Sequence, residues 1–250
     1  MTLTTPDFLT LPDRRLAYQL QRGSPGWPGV IFLSGYASDM AGTKAQFLAE
    51  CCAEANLSYL RFDYRGHGRS SGDFKDGTIG AWLDDTLTVF DQLTEGPQII
   101  IGSSMGGWIA LLLALKRPER AKALIGIAAG PDFTEELLVP GMTTEQQKQL
   151  ETEGFTTFHA PPPAEPLLVT KKLIEEARNH LLLRHTLSVT CPIRLLQGMQ
   201  DDDVPWQHVL HIARVVPHGD VRVTLVKDGG HRLSRPQDLQ TLWQMIKEFI

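Results

Sequence analysis

Gln98-Ile99-Ile100-Ile101-Gly102-Ser103-Ser104-Met105-Gly106-Gly107-Trp108 decides how this chain is read. An apolar strand-like run, Gln98–Ile101, enters a G-x-S-x-G, and a helical apolar run, Gly107–Leu115, leaves it. A turn from strand to helix this sharp holds its central residue in a strained backbone conformation. Side chains two positions to either side would clash. Ser104 has Gly102 and Gly106 at those offsets, whereas Ser103 has Ile101 and Met105. Ser104 is therefore the candidate nucleophile.

Outward from this turn, short apolar runs alternate with longer amphipathic ones. Val30–Leu33, Ser58–Phe62, Gln98–Ile101, Ala123–Ile127, Ile193–Leu196 and Val221–Val226 read as strands. Ile79, Trp82, Leu83, Thr86, Leu87, Phe90 and Leu93 recur at helical spacing, as do Leu239, Leu242, Trp243, Ile246, Phe249 and Ile250. Such alternation implies an α/β fold, a mostly parallel sheet with helices on both faces. Phe8–Gln19 reads as an antiparallel hairpin at the sheet edge. The rhythm stops between Pro131 and Leu187, where acidic and Gln-rich turns, Pro161-Pro162-Pro163 and a helix-like Leu168–Leu183 follow one another. No strong strand is legible there. The expected organisation is a core of residues 1–130 and 188–250 with a helical cap inserted at 131–187.

A serine hydroxyl needs a base. His231, in Asp228-Gly229-Gly230-His231, follows the last strand and precedes the last helix, a position from which it can reach Ser104. His67 sits in a turn, His159, His180 and His185 lie in the insertion, and His208, His211 and His218 lie on or beside a helix. The base in turn needs a carboxylate to orient it. Asp201 stands first after the strand Ile193–Leu196, and Asp202 and Asp203 read as caps of a helix starting near Pro205. Asp132, after the strand Ala123–Ile127, is the rival acid. Two backbone N–H groups should face the developing oxyanion: that of Met105, and one from Ser34-Gly35-Tyr36-Ala37, for which Tyr36 is the candidate.

These residues together resemble the α/β-hydrolase superfamily over nearly the whole chain, and Asp63-Tyr64-Arg65-Gly66-His67-Gly68-Arg69-Ser70 resembles its site-shaping loop after the fourth strand. A closer resemblance is carried by Gly102–Trp108, Ala123-Leu124-Ile125-Gly126, Cys191–Trp206, Gly35-Tyr36 and Gly42-Thr43-Lys44-Ala45. These look like the abhydrolase-domain family of palmitoyl-protein thioesterases and acyl-glucuronide esterases. That resemblance implies the order Ser104, Asp201, His231 and a small-molecule or acylated-protein substrate. Peptidases and C–C hydrolases share the fold, and a non-catalytic binding protein would be expected to have lost the triad.

Composition narrows the remaining classes. The chain has 250 residues, 42% of them hydrophobic, enough for a large core, and a net charge of −5 gives no basic excess for nucleic acid. The longest apolar run, Trp108–Leu115, is too short to span a bilayer. The N-terminus shows no signal or transit pattern, so a cytoplasmic protein is expected. Cys51, Cys52 and Cys191 form no CxxC and read as reduced, buried core residues. No zinc-ligand spacing is present, so neither metal nor cofactor is expected.

Overall fold

The computed structural model describes residues 5–158, 166–217 and 219–250. Its centre is an eight-stranded sheet. In chain order the strands are β1 (Asp7–Thr10), β2 (Arg15–Gln21), β3 (Gly29–Leu33), β4 (Tyr59–Phe62), β5 (Gln98–Ser103) and β6 (Ala121–Ile127). After an excursion come the last two sheet strands, Ile193–Gly198 and Val221–Val226. The excursion holds α4 (Val139–Gly141), α5 (Thr144–Glu153), β7 (Phe155–Phe158), β8 (Leu167–Thr170) and α6 (Lys171–Ala177), so the last two sheet strands are β9 and β10. The order across the sheet is β1-β2-β4-β3-β5-β6-β9-β10. The pairs β1/β2 and β2/β4 are antiparallel and every other pair is parallel. The edge hairpin and the mostly parallel sheet are as the sequence implied.

Each central strand feeds two cores because its side chains alternate between faces. On β5, Ile100 joins the core that includes Trp82, Leu83 and Phe90 of α2 (Ile79–Leu93) and Trp108 and Ile109 of α3 (Met105–Lys116). Ile99 and Ile101 join the opposite core, with Leu48 and Cys52 of α1 (Thr43–Glu54) and Leu242, Met245 and Ile246 of α8 (Pro236–Lys247). The remaining helix, α7 (Trp206–Val215), packs Val209 and Ile212 on the α2/α3 side. Helix α3 is buried nearly all round, with ten successive residues from Met105 to Ala114 covered, which explains its lack of a polar face.

The segment 131–187 differs from its sequence reading in one respect. It is not purely helical, because β7 and β8 pair antiparallel, Phe155↔Thr170 through Phe158↔Leu167. Phe155-Thr156-Thr157-Phe158 carried the β-branched and aromatic composition of a strand, but four residues give too little periodicity to separate strand from helix. Strand β8 also opens the stretch read as helix-like, of which Lys171–Ala177 and a following turn at Arg178–His180 are helical. Met142, Leu150, Val169 and Ile174 form a small core of its own, joined by Leu138, Val139 and Phe158. Leu173, Ala177, Leu182 and Leu183 tie the segment to the α2/α3 core. The Pro-rich bend Ala160–Pro166, apart from Pro166, lies outside the described residues, as do His159 and His218.

Two further expectations need correction. Asp202 and Asp203 do not cap α7, whose N-cap is Pro205 with no side-chain cap bond; the turn instead runs back onto Asp201. Of the three free cysteines, Cys52 and Cys191 are buried, but Cys51 is only half-buried at the outer side of α1. No helix among the described residues is long and apolar enough to cross a membrane.

Candidate active site

The C-terminal ends of the parallel strands carry the chemistry. Strand β5 ends at Ser103, and Ser104 turns the chain into α3 with φ 56° and ψ −122°. This left-handed conformation costs a non-glycine residue about 1–3 kcal/mol, and the surroundings hold it. The Ser104 N–H donates to Ile127 O at 2.9 Å, while Ser104 O accepts the N–H groups of Gly107 at 2.9 Å and Gly130 at 3.1 Å. The two flanking glycines are required by space. A Cβ on Gly106 would fall on the backbone carbonyls of Leu33 and Ser34, and one on Gly102 on the backbone of Gly106 and Gly107. Backbone cannot yield as a side-chain tip can. Gly106→Ala is therefore expected to destabilise the fold by about 3 kcal/mol. Urea denaturation followed by circular dichroism checks this, and an unchanged midpoint would mean that the turn relaxes.

His231 reaches the turn from the loop between β10 and α8. Its Nε2 lies 3.0 Å from Ser104 Oγ, and its Nδ1 lies 3.0 and 2.9 Å from the two carboxylate oxygens of Asp201. In the tautomer this geometry favours, Nδ1–H donates to Asp201 and Nε2 accepts from the Ser104 hydroxyl. The loop carries its own strain at Leu233, φ 42°, whose side chain is buried in the α1/α8 core. Ser104, Ala37, Ala128, Asp132 and Leu233 are five of the six non-glycine residues with positive φ among the described residues, and all lie in loops after sheet strands.

Asp201 follows β9 and its carboxylate is fully covered. Besides His231 it accepts N–H groups from Asp203 at 2.9 Å and Val204 at 2.8 Å, and the Gln197 side chain at 2.8 Å. Burial alone would raise its pKa. The hydrogen bond and charge of His231, the Val204 N–H and the Gln197 amide outweigh that and hold it below the ordinary carboxylate range. Sequence reading passed over Gln197. Its signal was a long amide inside an otherwise apolar strand end, Leu195-Leu196-Gln197-Gly198, and it is buried, bonding both Asp201 and Val204 O.

The rival acid does other work. Asp132 is buried away from His231, and its carboxylate accepts the N–H groups of Leu182 at 2.8 Å and Leu183 at 2.7 Å where the excursion rejoins the core. Burial raises its pKa, with those two N–H groups opposing.

Met105 is the first residue of α3, so its N–H has no partner within the helix and points from the helix start. Gly35 is pressed against the nucleophile, since a Cβ there would come 3.3 Å from Ser104 Cβ. The next residue, Tyr36, packs its ring on Phe74, Trp82 and Phe133 at centroid distances of 4.9, 5.7 and 6.0 Å. Its hydroxyl donates to Leu168 O of β8 at 2.7 Å, which joins the loop beside the nucleophile to the excursion. Phe133 also meets Trp108, one turn along α3 from Ser104, at 5.8 Å. In the Asp63–Ser70 loop, Asp63 accepts N–H groups from Met40 and Arg69, and Tyr64 donates to Ser34 O. His67 is enclosed by Tyr64, Phe74 and Trp82 and takes no part in the contact chain. Three cations of the excursion are ion-paired, Lys171 with Glu151, Lys172 with Asp76 and Arg178 with Glu135.

A serine at a strained strand-to-helix turn, hydrogen-bonded to a histidine that is hydrogen-bonded to a buried aspartate, all at the ends of parallel strands, defines the α/β-hydrolase class. A family profile described as "Serine aminopeptidase, S33" matches residues 28–158. The chain is 39% identical to bovine mitochondrial palmitoyl-protein thioesterase ABHD10 over 251 residues, covering 99% of this chain and 80% of the relative. The structure superposes on mouse alpha/beta hydrolase domain-containing protein 10 with a TM-score of 0.90 at 39% identity, covering 98% of each chain. It superposes on a putative hydrolase from Agrobacterium vitis S4 with a TM-score of 0.93 at 37% identity, covering 98% of this chain and 97% of the other. The chain belongs to this α/β-hydrolase family, within its ABHD10 branch.

Proposed function

We propose that the protein hydrolyses acyl thioesters and esters through Ser104, His231 and Asp201, with acylated cysteine of a polypeptide as the substrate class. The hydrogen-bonded chain Ser104–His231–Asp201 carries the reading, and the thioesterase relatives support the choice of acyl group. Ser104 Oγ attacks the acyl carbonyl as Nε2 of His231 takes its proton. The Met105 and Tyr36 N–H groups stabilise the oxyanion. Collapse breaks the C–S bond, and the proton on Nε2 goes to the departing sulfur. Water, deprotonated by the same nitrogen, then attacks the acyl-serine and releases the carboxylic acid. The residues 131–187 act as a cap in this scheme, with Phe133 bringing apolar surface beside Tyr36 and Trp108.

The test is kcat/KM across C2 to C16 acyl thioesters, matched acyl esters and aminoacyl amides. Thioesters and esters are expected to be turned over and amides not. Phe133→Ala is expected to lower kcat/KM for the preferred chain length about tenfold, the worth of one apolar contact surface. Turnover confined to the amides would overturn the substrate class, and an unaltered length profile in the variant would remove Phe133 from the acyl site.

A further inference from the structure

Two carboxylates face the His231 ring from different sides, and the triad accounts for only one. Asp201 sits on Nδ1. Asp203 Oδ2 lies 4.0 Å from Nε2, the nitrogen that also meets Ser104 Oγ at 3.0 Å. The Asp203 backbone is pinned by its own N–H, which donates to Asp201 Oδ1 at 2.9 Å. Its side chain is 73% exposed, against 0% for that of Asp201, so it stands at the solvent side of the reacting atoms. It does not cap α7, the task its sequence position suggested. Asp202 beside it is exposed as well.

Nε2 hands its proton to the leaving atom, which must then come within about 3 Å of it. Groups attached close to that atom pass within roughly 7 Å of the Asp203 carboxylate. At that range a formal charge on the leaving group feels Asp203 directly, with the interaction weakened by solvent. Arg232, next to His231, stands near Lys44 on the α1 side, and Lys44 Nζ donates to Arg232 O. Lys171, Lys172 and Arg178 of the excursion face Glu151, Asp76 and Glu135.

We infer that Asp203 selects the leaving group by charge, so that acyl-cysteines flanked by Lys or Arg are preferred over those flanked by Asp or Glu, and over small thiols carrying carboxylate or phosphate near the sulfur. The inference rests on the acyl-transfer reading above and names the substrate class more closely.

The test uses two S-octanoyl peptides, acetyl-Lys-Cys-Lys-amide and acetyl-Glu-Cys-Glu-amide, with the wild-type chain, Asp203→Asn and Asp203→Ser. Wild type is expected to favour the Lys peptide about tenfold in kcat/KM, from two flanking charges at partly solvated distance. Both variants are expected to bring the ratio to within about twofold, and 0.5 M salt to compress the wild-type ratio. A wild-type ratio near one, or a ratio unaltered in both variants, overturns the inference. The salt series on wild type reads the same charge without any variant. A parallel pair of octanoyl phenyl esters, one bearing a trimethylammonium and one a carboxylate, separates the two readings. If the peptides are inert but the cationic ester is preferred, the thioester reading fails and the charge selection stands. If both series turn over without preference, the charge selection fails.

Discussion

Ser104→Ala is expected to lower kcat by about 10⁶-fold, the scale on which removal of a triad serine is felt, and to leave the fold intact. The alanine keeps the backbone geometry that Gly102 and Gly106 make room for, and removes only the Oγ that lies 3.0 Å from Nε2. A fluorophosphonate probe is expected to bind the wild-type chain once, on Ser104, and not to bind the variant. Ser103 is the control. It is the last residue of β5 and is buried, with His231 directed at its neighbour. Peptide mapping that placed the phosphonate on Ser103, or labelling that survived in the variant, would remove Ser104 from its role.

Asp201→Asn is expected to cost about 10⁴-fold in kcat and, because a buried donor loses its acceptor, about 1–3 kcal/mol in stability. Three donors besides the ring point at this carboxylate: the Asp203 and Val204 N–H groups on Oδ1 and the Gln197 amide on Oδ2. An asparagine has one oxygen to offer them, and that oxygen stays with the two backbone donors. Its NH₂ then faces His231, which must accept at Nδ1 and carry its proton on Nε2, where it blocks the transfer from Ser104. Asp132→Asn separates the two acids. It loses part of the interaction with the Leu182 and Leu183 N–H groups, at about 1–3 kcal/mol of stability, and leaves the catalytic contacts in place. Steady-state kinetics and thermal melts on the two variants together decide it. If Asp132→Asn stopped turnover and Asp201→Asn did not, the assignment of the acid would be reversed.

Much of this was legible before any coordinates, for identifiable reasons. Ile99, Ile100 and Ile101 announce a strand buried on both faces, and the glycines at 102 and 106 announce the turn, because each reflects a local steric demand. His231 was identifiable by its place after the last strand. Choosing among Asp201, Asp202 and Asp203 is a different problem. Three like residues in a row differ only in which way a tight turn points them, and the turn is set by Val204 and Asp203 bonding back to Asp201. Asp132 looked plausible for the same reason, since nothing local says that its carboxylate will meet Leu182 and Leu183 fifty residues on. The β7/β8 pairing was missed because each strand is only four residues long, too short for its alternation to stand out from a helical pattern.

The placement of strands also sets an order of events. Strands β6 and β9 lie side by side, Leu124↔Ile193 through Ile127↔Leu196, although residues 128–192 separate them in the chain. Ser104 stands beyond β5, Asp201 beyond β9 and His231 beyond β10, so this one pairing divides the nucleophile from both of its partners. The six strands β1 to β6 and the β9/β10 pair can each form from nearer neighbours, but neither holds a working set of groups. Closing so long a loop carries an entropic cost that is met only once the contacts across β6 and β9 exist. Ser104 therefore meets both of its catalytic partners only when β6 and β9 are paired.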